Sequence, residues 1–134
     1  MVKTYRIFIS HSWKYYPHYD RIEEFLEQEG ILYYNHSVPK DDPVHTNGTD
    51  KQLYDAIEAK IKGCSCVIVL DGVYSTYSKW IGKELEIAQK YGKPIIAVRP
   101  WGNSRTSTEV NRAATVIVGW NAKSVASAVK EYAL

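Results

Sequence analysis

One carboxylate in this chain occupies a position that ordinary solvation does not explain. On a helical wheel of about 100° per residue, Trp80, Ile81, Leu85, Ile87, Ala88 and Tyr91 gather on one broad arc, and Glu84 falls inside it. Trp80 precedes it by four residues and Ala88 follows it by four. Glu86 falls on the far side with Lys79, Lys83 and Lys90, where pairing at helical spacing makes it a routine solvated charge. Burying a carboxylate is costly unless the group is paired or meets a ligand. Glu84 is therefore a candidate for catalysis. The plain alternatives are a buried partner such as Arg99 or His11, or a rim position that stays wet.

Other reactive residue types form weaker patterns. Cys64 and Cys66 lie two apart in a β-branched run, where both side chains are expected on one face of a strand, a poor arrangement for a disulfide. Two such ligands without a nearby histidine are too few for a metal, so they read as buried reduced thiols in a reducing compartment. His18, His36 and His45 follow no metal spacing and read as surface loop residues. Asp71, at the end of an apolar run, occupies the place of the acceptor in phosphoacceptor receiver domains. Those domains also need an acidic pair after the first strand, and here that turn is Ser10-His11-Ser12. Asp71 then reads as a turn former before Gly72, at an edge where it can also face a ligand. A serine hydrolase built on Ser12 and His11 fails because adjacent residues on an extended turn diverge and no Gly-x-Ser-x-Gly elbow occurs.

These residues need a scaffold, and hydrophobic periodicity supplies one. Strands are predicted over Tyr5–Ser10, Ile31–Asn35, Cys64–Leu70, Ile95–Arg99 and Thr115–Val118. Helices are predicted over His18–Gln28, Lys51–Lys62, Ser78–Tyr91 and Ala122–Tyr132, with Gly30, Gly63 and Gly92 closing the first three. His36–Asp50 contains Pro39, Pro43, Asn47 and Gly48 and reads as a long functional loop; Pro100–Arg112 reads as irregular. Strand and helix alternate with short connections. The expected fold class is α/β: a flavodoxin-like three-layer sandwich, with a five-stranded parallel sheet and helices on both faces, in one domain spanning 1–134. Ligands of such folds bind beyond the carboxyl ends of the strands, which draws attention to Ser10–Lys14, His36–Asp50, Asp71–Ser78 and Arg99–Ser104.

Composition narrows the function classes. Lysine and arginine number 17 against 15 aspartate and glutamate, with no basic run, so nucleic-acid binding is not indicated. No apolar stretch is long enough to span a bilayer, and the first residues lead directly into a strand, so a cytoplasmic protein is expected, without membrane contact. The heavy load of 11 tyrosines and four tryptophans suits either core packing or stacking on flat rings.

Several stretches resemble the TIR domain superfamily, most closely the bacterial TIR-like proteins of Thoeris antiphage defence. Arg6-Ile7-Phe8-Ile9-Ser10-His11-Ser12-Trp13 resembles the opening strand and turn, and Ser37-Val38-Pro39 the start of the long loop. Tyr77-Ser78-Lys79-Trp80-Ile81-Gly82-Lys83-Glu84 resembles the block in which enzymatic members carry a catalytic glutamate, which falls on Glu84. The stretches from Gly92 to Gly102 and from Ile117 to Asn121 resemble the last two strands. The resemblance implies an NAD-cleaving glycosidase that releases nicotinamide and leaves an ADP-ribosyl group to be hydrolysed, cyclised or transferred. NAD would be the substrate, with no cofactor and no metal. A carboxylate at Glu84 would stabilise the oxocarbenium-like ribose. Ser10, His11, Ser12 and Trp13 would line the nicotinamide end, Trp80 would stack on or wall that ring, and Asp71 would lie beside them. Their plain roles are turn caps and core filler. The resemblance further implies TIR–TIR self-association, in which Lys40 and His45 of the long loop approach substrate phosphate, and a separate effector protein that senses the product. The alternative is a TIR adaptor without catalysis, acting only through TIR–TIR contacts.

Overall fold

The computed structural model describes residues 3–10, 17–37, 49–70, 78–99 and 108–134. Strands β1 (Tyr5–Ile9), β2 (Tyr33–Asn35), β3 (Cys66–Leu70), β4 (Ile95–Arg99) and β5 (Val116–Gly119) alternate with helices α1 (Pro17–Gln28), α2 (Asp50–Lys62), α3 (Ser78–Lys90), α4 (Thr108–Ala113) and α5 (Ala122–Tyr132). The five strands form one sheet in the order β2-β1-β3-β4-β5. Every pairing is parallel, with Ile9 opposite Ile68 and Leu70 opposite Val98. This is the flavodoxin-like order, whose topological switch lies between β1 and β3.

Alternation along the strands divides the core in two. Ile7, Ile9, Cys66, Ile68, Leu70, Ile96 and Val98 pack on one face, against Ile22 and Leu26 of α1 and Val125 and Val129 of α5. Phe8, Val67, Val69, Ile95 and Ala97 pack on the other, against Leu53 and Ile57 of α2, Leu85 and Ala88 of α3, and Val110 of α4. β3 is buried at all five positions, as a strand covered on both faces must be. Gly30 and Gly92 adopt φ of 71° and 65°, the left-handed geometry that ends α1 and α3.

The structure departs from the expectations at specific points. The stretch read as irregular contains α4, whose six residues are too few to show a period; Val110 is its buried anchor. β2 begins at Tyr33 rather than Ile31, because the amide of Ile31 donates to the Leu26 carbonyl at the end of α1. α2 begins at Asp50 behind a capping box in which Thr49 accepts from the Gln52 amide and the Gln52 side chain accepts from the Thr49 amide. The two cysteines do not share a face. Cys66 starts β3 and joins the α1/α5 core, whereas Cys64 precedes the strand, its amide bound to the Ile61 carbonyl, and joins the α2/α3 core. Both are buried free thiols.

Gly63 does close α2, but not through a left-handed conformation: its φ is −92°. The His36 imidazole occupies the space where a side chain would stand, with Cε1 2.7 Å from an ideal Cβ. The ring is fixed by a 2.8 Å contact between its Nδ1 and the Lys60 carbonyl, so Nδ1 carries the proton. His36 is thus half-buried and bound to α2, not a surface loop residue.

Two expected outcomes follow from this packing. Gly63→Ala must displace the imidazole and should lower stability by about 1 kcal/mol; in a His36→Ala background the same change should be neutral or stabilising, and a denaturant double-mutant cycle reads the difference. Burial pushes the Cys64 thiol up to about 11 and the Cys66 thiol up to about 12, from an ordinary 9.0. The unfolded chain therefore loses these protons first. The stability they contribute is complete below about pH 9 and drains away as pH rises through the folded values. Denaturant titrations should show a steeper alkaline loss for the native chain than for Cys64→Ala/Cys66→Ala, referenced to each protein's neutral-pH stability.

Candidate active site

The buried polar side chains among the described residues are Ser10, Ser37 and Glu84, and all three bear on the carboxyl end of β1. Ser10 follows Ile9, whose side chain points to the α1/α5 core, so alternation sends the Ser10 side chain to the α3 side. Glu84 sits in the middle of α3 on its buried face, as the wheel requires. The Ser10 Oγ–H donates to Glu84 Oε1 at 2.6 Å, and both side chains have no solvent exposure. That length is at the short end of the usual range for an O–H···O hydrogen bond. Zero exposure removes the wet-rim alternative for Glu84.

The end of β1 is held from both sides. The Ser10 amide donates to the Ile68 carbonyl of β3 at 2.9 Å. On the other side the Ile9 amide donates to Ser37 Oγ, also at 2.9 Å, after the His36 amide has bonded the Ile7 carbonyl. Ser37 thereby supplies, through its side chain, the acceptor that β2 would supply if it continued. Asn35 braces this turn. Its Oδ1 accepts from the Ser37 amide at 3.1 Å, and its Nδ2 donates to Tyr19 Oη at 2.8 Å and Glu23 Oε2 at 3.0 Å. Tyr33 donates to the same Glu23 oxygen at 3.2 Å, and burial together with Glu23 raises its phenol well above the usual range. Sequence reasoning gave neither Asn35 nor Ser37 a role in the site; the available signal was an Asn two residues before a Ser where a strand ends, the pattern of a side-chain-bonded turn.

Trp80 is half-buried and packs against the α2/α3 core. The Lys83 ammonium lies 4.7 Å from its ring centroid and 5.7 Å from that of Tyr54. This cation covers one indole face, so a substrate ring would meet the rest of the residue. Two charges of α3 differ from the wheel's account. Lys90 pairs with Glu58 of α2 at 3.1 Å rather than with Glu86, and Lys83 turns toward the aromatic rings. Glu86 is exposed, as expected. Arg99, at the end of β4, donates to Asn111 Oδ1 of α4 at 3.4 Å. His11, Ser12, Trp13, Lys40, His45 and Asp71 lie outside the described residues. Among the described residues no cluster of three or more His, Cys, Asp or Glu could hold a metal ion, and no helix is long and apolar enough to cross a membrane.

Comparison with known proteins agrees with this architecture. The chain is similar to the Clostridium botulinum CMP N-glycosidase BcmB, with 20% identity and a TM-score of 0.53 over 95% of this chain and 99% of that one. It is similar also to a 3-dehydroquinate dehydratase-like protein from Bifidobacterium longum, with 11% identity and a TM-score of 0.51 over 98% and 95%. At these identities the likeness is one of fold. No match was found among curated proteins. The profile of the family described as Thoeris protein ThsB, TIR-like domain, matches residues 8–105, and on that match the chain belongs to the Thoeris TIR-like domain family.

Proposed function

We infer that this TIR-like domain cleaves the N-glycosidic bond of NAD, with Glu84 as the catalytic carboxylate and Ser10 as its hydrogen-bonded partner. The observation that carries the reading is the fully buried Ser10–Glu84 pair at the carboxyl end of the sheet, where ligands of this fold bind. A carboxylate removed from water has a reason to be there when a cation forms beside it. Heterolysis of the C1′–N bond sends the electron pair to nicotinamide, which leaves neutral, and leaves an oxocarbenium-like ribosyl centre. Water then adds to C1′ and loses a proton, giving ADP-ribose; attack by a nucleophile of the same molecule gives a cyclic product, and attack by another acceptor gives transfer.

The leaving group favours NAD over a nucleotide such as CMP. Nicotinamide is already cationic and needs no proton, whereas a neutral pyrimidine base must be protonated to leave. In the buried pair Glu84 accepts a hydrogen bond from the Ser10 hydroxyl, a use of the carboxyl group as acceptor that suits a leaving group needing no proton. The fold likeness to a nucleotide N-glycosidase is consistent with glycosidic chemistry, and the choice of NAD rests on its leaving group. The same reading has the domain working in the cytoplasm as a self-associated enzyme, its ADP-ribose-derived product read by a separate effector in antiphage defence.

The test is to incubate the purified protein with NAD and, in parallel, CMP, and to resolve products by mass. Release of nicotinamide is expected. Glu84→Gln should lower the rate by about 10²-fold or more, since it removes the charge and keeps the volume, while Glu86→Gln should leave it unchanged. Equal loss in both variants would overturn the assignment, and a chain that cleaves neither nucleotide would return the domain to an adaptor role. Glu84→Gln should also be neutral or mildly stabilising in a denaturant titration, because an amide costs less to bury and its oxygen still accepts from Ser10. A large destabilisation would mark Glu84 as half of a structural ion pair.

A further inference from the structure

We propose that Ser37 is a positioning residue for the Ser10–Glu84 pair, itself set by Asn35; the catalytic half of this inference rests on the reading of that pair as the active site. Three observations converge on it. Ser37 is 7% exposed, and it is buried with Ser10 and Glu84 at one strand end rather than elsewhere in the core. Its Oγ accepts from the amide of Ile9, the residue immediately before Ser10. Its own amide is held by Asn35, which also binds Tyr19 and Glu23 of α1.

The geometry makes Ser37 more than a turn residue. β2 ends at Asn35, so without Ser37 Oγ the buried Ile9 amide would lose its acceptor on that side. Among the described residues, the end of β1 beyond Phe8 would then be held through the Ser10 amide to Ile68. Ser10 Oγ reaches Glu84 across two rotatable bonds from the Ser10 amide nitrogen, so rotation of the strand end moves the hydroxyl off the carboxylate. Misplacement on the scale of an ångström is enough to slow a reaction severely. His36 adds a second constraint on the same turn, since its ring sits in the space at Gly63 and bonds the Lys60 carbonyl. Helix α1, helix α2 and strand β1 are thereby tied to three consecutive residues, Asn35 to Ser37.

The experiment compares the full chain with Ser37→Ala, Ser37→Thr and Asn35→Ala. Asn121→Ala serves as a control, because it removes the N-cap of α5, on the opposite side of the sheet, and lowers stability without touching β1. Three quantities are read: exchange of the Ile9 and Ser10 amides, the ¹³C shift of the Glu84 carboxyl carbon, and kcat and KM for nicotinamide release. Ser37→Ala should speed exchange of both amides about tenfold relative to β4 amides. It should shift the Glu84 resonance and lower kcat by about tenfold with KM nearly unchanged. Ser37→Thr should restore all three, and Asn35→Ala should move them less and in the same direction. The proposal is overturned if the Glu84 resonance and Ser10 amide of Ser37→Ala match the native chain, if Asn121→Ala shifts them equally, or if kcat is unaffected. The two resonance measurements need no substrate. A native chain without glycosidase activity would therefore refute the functional reading, while the positioning of Ser10 and Glu84 is still decided by the spectra.

Discussion

A carboxylate with no access to water sets the terms for the carboxyl end of this sheet. Glu84 is buried in the middle of α3, and its dehydration must be offset locally. Ser10 supplies a short hydrogen bond, and the position of Ser10 follows from strand register. A slip of one residue along β1 would turn Ser10 toward the α1/α5 core and Phe8 away from the α2/α3 core. The pairing of Ile7, Phe8 and Ile9 with Cys66, Val67 and Ile68 is therefore also the coordinate system of the buried pair.

Much of this arrangement is legible in the sequence, because two periods do most of the positioning. The helical period put Glu84 among Trp80, Ile81, Leu85 and Ala88, and the strand period gave an apolar central β3. What those periods cannot carry is contact between distant segments. Gly63 looks like any helix-ending glycine until the His36 ring is seen in its space. Cys64 and Cys66 look like strand neighbours until the strand is found to begin at Cys66. Ser37 looks like a loop serine, because its acceptor role depends on Ile9, 28 residues away. The pairing of Lys90 escapes the sequence for a related reason: it reaches across to Glu58 of α2, which a single-helix wheel cannot represent.

Family and fold constrain the reaction to different degrees. The family match identifies a Thoeris TIR-like domain, and the fold is shared with proteins described as an N-glycosidase and as dehydratase-like. A scaffold used so differently does not choose its chemistry; side chains at the strand ends do. Here the informative feature is the combination of a buried acceptor and a hydroxyl aimed at it, with Trp80 half-buried one helical turn before Glu84. The indole is already committed on one face to Lys83.

The polar groups sit where the apolar core can tolerate them. β3 and β4 contribute Val67, Ile68, Val69, Leu70, Ile95, Ile96 and Val98, all nearly or fully buried. Each such side chain contributes about 1.5–3 kcal/mol by leaving water, which together offset part of the cost of dehydrating one carboxyl group and two hydroxyls. That contribution lies in the centre of the sheet, while Ser10 and Ser37 are at the margin, just past the last residues of β1 and β2. A margin is where pairing would ordinarily fray. Holding Ile9 with Ser37 and Ser10 with Ile68 extends the order of the core beyond the last regular residue of β1, which is the condition a buried hydroxyl must meet to keep its aim at Glu84.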